Sequence, residues 1–304
     1  MARTTAEYPD PALGVAMTKL SIRHTTTYRY RYPIALGPHR LTLRPREGRE
    51  LLLVSHDVVS WPDAKMSWAT DVFANAVATA RFAEPTDCLK IDSKAVVDLT
   101  SAAWPVFDIA ASAITYPFSY GEHEWKDLGG LREVQYPDPS NLFQQWVRAF
   151  VRSGSTDTLS LLKDLSGGVS NEITYQSREA EGTQSPLETL AVRSGSCRDF
   201  AVLFAEAARL LGFGARIVSG YLFNPNQMLF GSRDSGSTHA WVDVFLPGAG
   251  WITFDPTNRS MGGANLIPVA VVRDIAHAVP ISGGFTGAAN AFVSMDVAVE
   301  VSEL

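Results

Sequence analysis

The sequence predicts an α+β protein in two parts, an N-terminal β-sandwich-like domain and a core in which helices precede an antiparallel sheet. Three observations predict it. Residues 18–100 carry short alternating runs divided by turn signals, with no helical period. From residue 140 apolar side chains recur at helical spacing, and beyond residue 212 the chain returns to alternation. With 304 residues, 46% hydrophobic and 19% charged, the chain has material for two cores.

The N-terminal domain spans residues 18–100. Leu20, Ile22, His24, Thr26, Tyr28, Tyr30 and Tyr32 share one face of its first strand, and Arg23, Arg29 and Arg31 take the other. Further strands are predicted over 39–43, 51–60, 65–69, 76–82 and 89–97, with a hairpin connection between Asp71 and Asn75. Ahead of them, residues 1–17 read as a disordered tail without a charged-then-apolar signal pattern. Residues 101–139 are punctuated by Pro105, Pro117, Pro137 and Pro139 and read as a segment wrapping between the domains.

The core is predicted over 140–304. Helices are expected over 141–151, from Ser155 or Thr156 towards Asn171, and over 197–211. Strands follow over 215–223, 238–246 and 251–254, with closing strands over 267–272 and 291–301.

Bulk properties exclude several classes. A net charge of −6 and a pI near 5.5 argue against a nucleic-acid partner, and the arginines between Arg23 and Arg49 read as solvated strand faces. No apolar run reaches membrane-spanning length. Two cysteines, Cys88 and Cys197, cannot make a disulfide framework, so a reducing, cytoplasmic setting is expected.

Chemistry concentrates in "RSGSCRDFAVLFAEAARLLG". Phe200, Leu203, Phe204, Ala207, Leu210 and Leu211 give one apolar helical face; Ser196 is a good N-cap, Asp199 completes a weak capping box, and Gly212 is a natural stop. Cys197 is then the first residue inside the helix, where free N–H groups and the positive end of the macrodipole favour a thiolate. A lone cysteine there is ordinarily a small core residue. Its partners decide otherwise. His24, His39 and His56 fall in the N-terminal sheet, His123 in the wrapping segment and His277 near the end, whereas His239 opens a strand in "STHAWVDVFLPGAGWITFDPTN". Asp255 ends the next strand, so base and orienter lie at one end of one hairpin. An even-length connection after Leu246 would put them on opposite faces, so the reading requires an odd connection or a bulge. A Cys–His–Asp metal site lacks a C-x-x-C or H-x-x-x-H element and a fourth ligand, and no metal or cofactor is expected.

"GSCRDFA", "SGYL" and "HAWVDVFLPGAGWITFDPTN", in that order, closely resemble the transglutaminase-like superfamily, in its bacterial branch of candidate cysteine proteases. "LSIRHTTTYRYRYPIALGPHRLTLRPRE" resembles that branch's N-terminal β domain, and the likeness runs over roughly residues 18–300. The resemblance implies a papain-like, transglutaminase-like core, with the cysteine helix packed on an antiparallel sheet. It implies Cys197 as nucleophile, His239 as general base and acid, and Asp255 as orienter. The backbone N–H of Cys197 is a natural oxyanion donor, with Tyr175 or Gln184 as side-chain partner. Tyr221 and Trp241 are placed along an acyl-substrate groove, against the commoner role of strand aromatics as core. One departure is His277 in "RDIAHAVPISG", where related sequences tend to carry an acidic residue. The implied activity is thiol-dependent acyl transfer on a peptide or protein amide. Hydrolysis, as a peptidase or amidase, is favoured over transfer to an amine as a transglutaminase, and a non-catalytic binding module of the same fold is the further alternative.

Overall fold

The computed structural model describes residues 17–100, 105–151, 154–177, 182–224 and 236–304; the tail expected over 1–17 lies outside these residues except for Met17. Its N-terminal part consists of β1 (Thr18–Leu36), β2 (His39–Leu41), β3 (Leu51–Trp61), β4 (Ala64–Thr70), β5 (Ala76–Phe82) and β6 (Thr86–Leu99). The alternation read in β1 is real. Leu20, Ile22, His24 and Thr26 are buried, while Arg23 on the other face pairs with Asp92 at the surface. Burying the apolar row and leaving the charged row wet is what fixes the register of such a strand.

The wrapping segment holds β7 (Thr115–Tyr116) and α1 (Glu122–Leu128). Tyr120 ties it to the core, donating to the Phe245 carbonyl and accepting from the Gly214 N–H. Then come α2 (Leu142–Arg148), β8 (Thr156–Asp157), α3 (Thr158–Glu172), β9 (Thr174–Tyr175), α4 (Pro186–Val192), β10 (Ser194–Gly195) and α5 (Cys197–Leu210). The remaining elements are β11 (Gly214–Phe223), β12 (Gly236–Leu246), β13 (Gly250–Asp255), β14 (Ser260–Met261), β15 (Leu266–Val272), β16 (Ile281–Ser282), β17 (Phe285–Thr286) and β18 (Phe292–Glu303).

The fold is α+β, as the sequence predicts. The core sheet runs β14-β13-β12-β11-β15, antiparallel throughout. Helix α5 packs on it, and Phe200, Leu203, Phe204 and Ala207 share one buried cluster with Ala240, Val242, Val244 and Leu246 of β12. At the far end of α5 a buried Arg209–Glu206 pair meets at 2.6 Å. Glu206 also accepts from the backbone of Gln135 and Tyr136, and Arg209 donates to the Ala215 and Arg273 carbonyls. Such full satisfaction is what makes a buried ion pair tolerable.

The N-terminal domain is sandwich-like. One sheet is ordered β3-β6-β1, with β17 and β18 on the far side of β1; the other runs β16-β2-β5-β4, and the two enclose a shared cluster that includes Ile34, Leu41, Ala80 and Ile91. The strand predicted over 291–301 as part of the core forms instead as β18 and pairs with β1 from Leu20↔Glu303 to Tyr30↔Phe292. Its alternation was legible, but alternation names a face and not a partner strand. The chain therefore leaves the N-terminal sheet, builds the core, and returns.

Two contacts lock the parts together. Leu20, Ile22, Val97 and Val301 from the N-terminal sheet form one buried cluster with Tyr221, Phe223, Ile267 and Val269 from the core. The hairpin loop at Asp71–Asn75 docks on β15, where Asn75 donates to the Val271 carbonyl and accepts from its N–H.

Candidate active site

Cys197 is the first residue of α5, as its spacing predicts. The turn before it is set by Asp199, whose carboxylate accepts from the Ser196 N–H and hydroxyl at 2.8 Å each, and from the Gln184 N–H at 2.7 Å. This is the reciprocal cap expected from the sequence, buried and extended to a third donor. It fixes the helix start, and hence the direction of the thiol, without using Cys197 itself.

The hairpin has the required parity. Leu246 pairs with Gly250, so Pro247, Gly248 and Ala249 form an odd connection, with Gly248 at φ +83° and Gly250 at φ +73° supplying the left-handed backbone. In that register His239 and Asp255 lie on one face as diagonal neighbours. Their side chains meet, His239 Nε2 standing 2.7 Å from Asp255 Oδ2. With Nε2 engaged, Nδ1 is the nitrogen left to face Cys197, whose side chain acts on the charge of the imidazole.

Electrostatics favour a charged imidazole. Burial opposes the charge, but hydrogen bonds with Asp255 and Cys197, and the field of both, outweigh it and raise His239 to about 9. Asp255 is 1% exposed and fully engaged. Its Oδ1 accepts from the backbone N–H of Thr257 and Asn258, and its Oδ2 from His239 and from the Asn258 amide at 2.7 Å.

The other predicted site residues separate. Tyr175 stands beside the nucleophile: β9 pairs in parallel with β10, setting Tyr175 opposite Gly195, and its ring meets Phe200 edge-on at 6.2 Å. It remains 53% exposed, and burial of the rest, then the charges of Cys197 and Asp255, push its phenol up. Gln184 instead works as a brace: its N–H goes to Asp199 and its carboxamide oxygen accepts from the Thr189 hydroxyl at 3.2 Å. Tyr221 is not in the groove. It is 2% exposed, faces the N-terminal sheet, and hydrogen-bonds His24 Nδ1 at 3.0 Å. Trp241 is equally buried and lines no open surface, but its ring stacks beside His239 at 6.0 Å and 29°. His277 closes a short 3₁₀ turn after β15. The sequence reading missed Asn258, although "DPTN" places a carboxamide three residues beyond Asp255.

A cysteine on a helix start thus stands with an imidazole and a buried carboxylate, the last two joined by a hydrogen bond, which is the set of groups that nucleophilic catalysis uses. The chain belongs to the transglutaminase-like superfamily: the superfamily's core model matches residues 144–256, and the bacterial transglutaminase-like N-terminal region matches residues 20–98. It is 28% identical over 320 residues to the uncharacterized protein Rv2569c of Mycobacterium tuberculosis, covering 96% of each chain. A shorter segment of 70 residues is 40% identical to a protein-glutamine gamma-glutamyltransferase of Pseudomonas aeruginosa, covering 21% of this chain and 10% of that one. Among solved structures, the "Putative Cysteine Protease" of Cytophaga hutchinsonii has the same fold, with a TM-score of 0.73 at 20% identity, over 95% of this chain and 91% of the other.

Proposed function

We propose that the protein is a thiol-dependent acyl-transfer enzyme acting on peptide or side-chain amides, and that water resolves its acyl-enzyme, making it a cysteine peptidase or amidase. The observation that carries this reading is Cys197 at the start of α5 together with His239 hydrogen-bonded to the buried Asp255. The Cys197 thiolate attacks the amide carbonyl carbon, and the developing oxyanion faces the Cys197 backbone N–H at the start of α5. Collapse of the tetrahedral intermediate breaks the C–N bond while His239 gives its Nδ1 proton to the departing amine, leaving a thioester on Cys197. Water then adds to the thioester as His239 takes its proton. The acid departs, and the thiolate–imidazolium pair is restored. Asp255 holds the ring throughout by accepting from Nε2. A reducing, cytoplasmic setting belongs to this reading because it keeps the Cys197 thiol free.

The similarity to a gamma-glutamyltransferase favours a second outcome, in which an amine replaces water in the second step. One experiment separates them. The full chain is incubated with a panel of glutamine-containing peptides, with and without a primary amine, and the products are weighed by mass spectrometry. Cleaved or deamidated peptide, unchanged by the amine, supports hydrolysis. An amine adduct as the main product supports transfer, and neither product from any peptide contradicts both.

A further inference from the structure

Asp255 receives more donors than a triad requires. Two come from the backbone of the following turn, Thr257 N at 3.0 Å and Asn258 N at 3.2 Å, both to Oδ1. These alone shape the turn. The Asn258 side chain adds something separate, an amide nitrogen 2.7 Å from Oδ2, the same oxygen that accepts from His239. That nitrogen also stands 3.3 Å from His239 Nε2.

The orientation of the amide follows from its neighbours. Turning it over would set its carbonyl oxygen against the carboxylate, acceptor against acceptor, so the nitrogen faces inward. Both Asn258 Nδ2 and His239 Nε2 then donate to one oxygen. The loop carrying the amide is itself held to α3: Arg259 donates to the Ser170 carbonyl at 3.0 Å, and the Ser170 hydroxyl donates to the Pro256 carbonyl. Arg259 accepts a left-handed backbone, φ +54°, immediately after Asn258. The side chain is therefore delivered to the carboxylate from a fixed base.

We propose that Asn258 is a positioning residue of the acyl-transfer centre, whose amide pins the Asp255 oxygen that holds the His239 ring in line with Cys197. The proposal rests on the function proposed above and deepens it. Partners of this kind, one bond behind the reacting groups, fix the orientation of the group that does the chemistry. Among the described residues, the ionisable groups acting on the imidazole are Cys197 from α5 and Asp255 from β13, and both act on Tyr175 of β9.

The test needs no substrate. Alkylation of Cys197 by iodoacetate is followed by intact mass from pH 5 to 10.5 in the full chain, in Asn258→Ala and in Asn258→Asp, with a thermal melt of each. An anionic reagent reacts fastest while the imidazolium stands beside the thiolate, so the rate falls as His239 loses its proton. In the wild-type chain that fall is expected near pH 9. Asn258→Asp, which keeps the shape but replaces the donor with a second negative charge, should move the fall upward by about half a pH unit or more. Asn258→Ala should lower the rate at pH 7 by about tenfold, with Tm within about 2 °C of wild type. Should Asn258→Ala fail to fold, Asn258→Asp decides alone. Wild-type rates and an unmoved alkaline fall in the folded variants overturn the proposal. If no peptide is ever turned over, the alkylation profile still reads the Asn258 contact, so failure of the enzyme reading and failure of this one are told apart.

Discussion

At the scale of single residues the centre works by mutual dependence. His239 carries its charge because Asp255 and Cys197 outweigh the burial that opposes it. On an activated ester, His239→Ala should therefore lose nearly as much turnover as removal of the thiol, about 10⁴-fold, since the thiol then lacks its base and the leaving group its acid. Asp255→Asn should cost clearly less, because a thiolate–imidazolium pair already supplies much of the activation. Steady-state kcat of the two variants at pH 7 checks the order, and Asp255→Asn falling as far as His239→Ala would contradict it. The juxtaposition of His239 and Asp255, and the place of Cys197 at a helix start, were legible in the sequence because cysteine and histidine are scarce here and the three follow in order along the chain. Tyr221 lies away from the catalytic candidates for a plain reason. Its type fits a groove, but its burial and its partner His24 are set by a segment far along the chain. Asn258 was missed because an asparagine after a strand reads as turn chemistry.

At the scale of elements, the hairpin β12–β13 decides whether the residues can meet. Its three-residue connection preserves the shared face of His239 and Asp255, a parity the sequence required but could not itself supply. The glycine of "SGYL" belongs to the same arrangement. Gly220 lies directly across from His239, and a Cβ there would stand 2.0 Å from the Ile267 carbonyl oxygen and 2.9 Å from the Trp241 ring. Since Trp241 stacks beside His239, space at Gly220 is space for the base's neighbour. Gly220→Ala should destabilise the chain by about 1–3 kcal/mol or more, measured by urea unfolding, and should slow Cys197 alkylation at pH 7. Unchanged stability would mean that β15 yields freely, contrary to its packing here. Strand positions were largely readable from alternation, whereas the short helices α1 and α4 were not. Each has seven residues, as α2 does, but lacks the row of aromatic side chains at helical spacing that marks α2.

At the scale of the whole molecule, the two parts share a buried joint at which His24 is the titratable group. Its imidazole bridges Tyr221 and the Thr26 hydroxyl, and burial pushes it down to about 4. The folded chain thus binds this proton less readily than the unfolded one, whose histidines titrate near 6.5. The stability that neutral His24 contributes is complete above pH 6.5 and is lost as pH falls towards 4. Burial, with Arg44 nearby, holds His56 down to about 4 as well, and burial also lowers His39, so three groups act in the same direction. Tm should fall between pH 6.5 and 4, and His24→Gln should flatten part of that slope; equal slopes would show that the joint does not sense the proton. The return of β18 to β1 ties the first and last described strands into one sheet, which meets the core at this joint. That topology was hidden in the sequence, where an alternating strand carries no sign of which sheet it will join.

The most direct measurement is covalent capture on Cys197. The wild-type chain is mixed with an activated acyl ester at pH 7, quenched in acid within the first turnover, and weighed intact, then digested to locate the adduct. One acyl group on Cys197, absent from Cys197→Ala together with a loss of turnover on the order of 10⁴-fold, is the expected result. Turnover retained in Cys197→Ala, or an adduct on any other residue, would contradict the account and return the thiol at the start of α5 to the role of a core side chain.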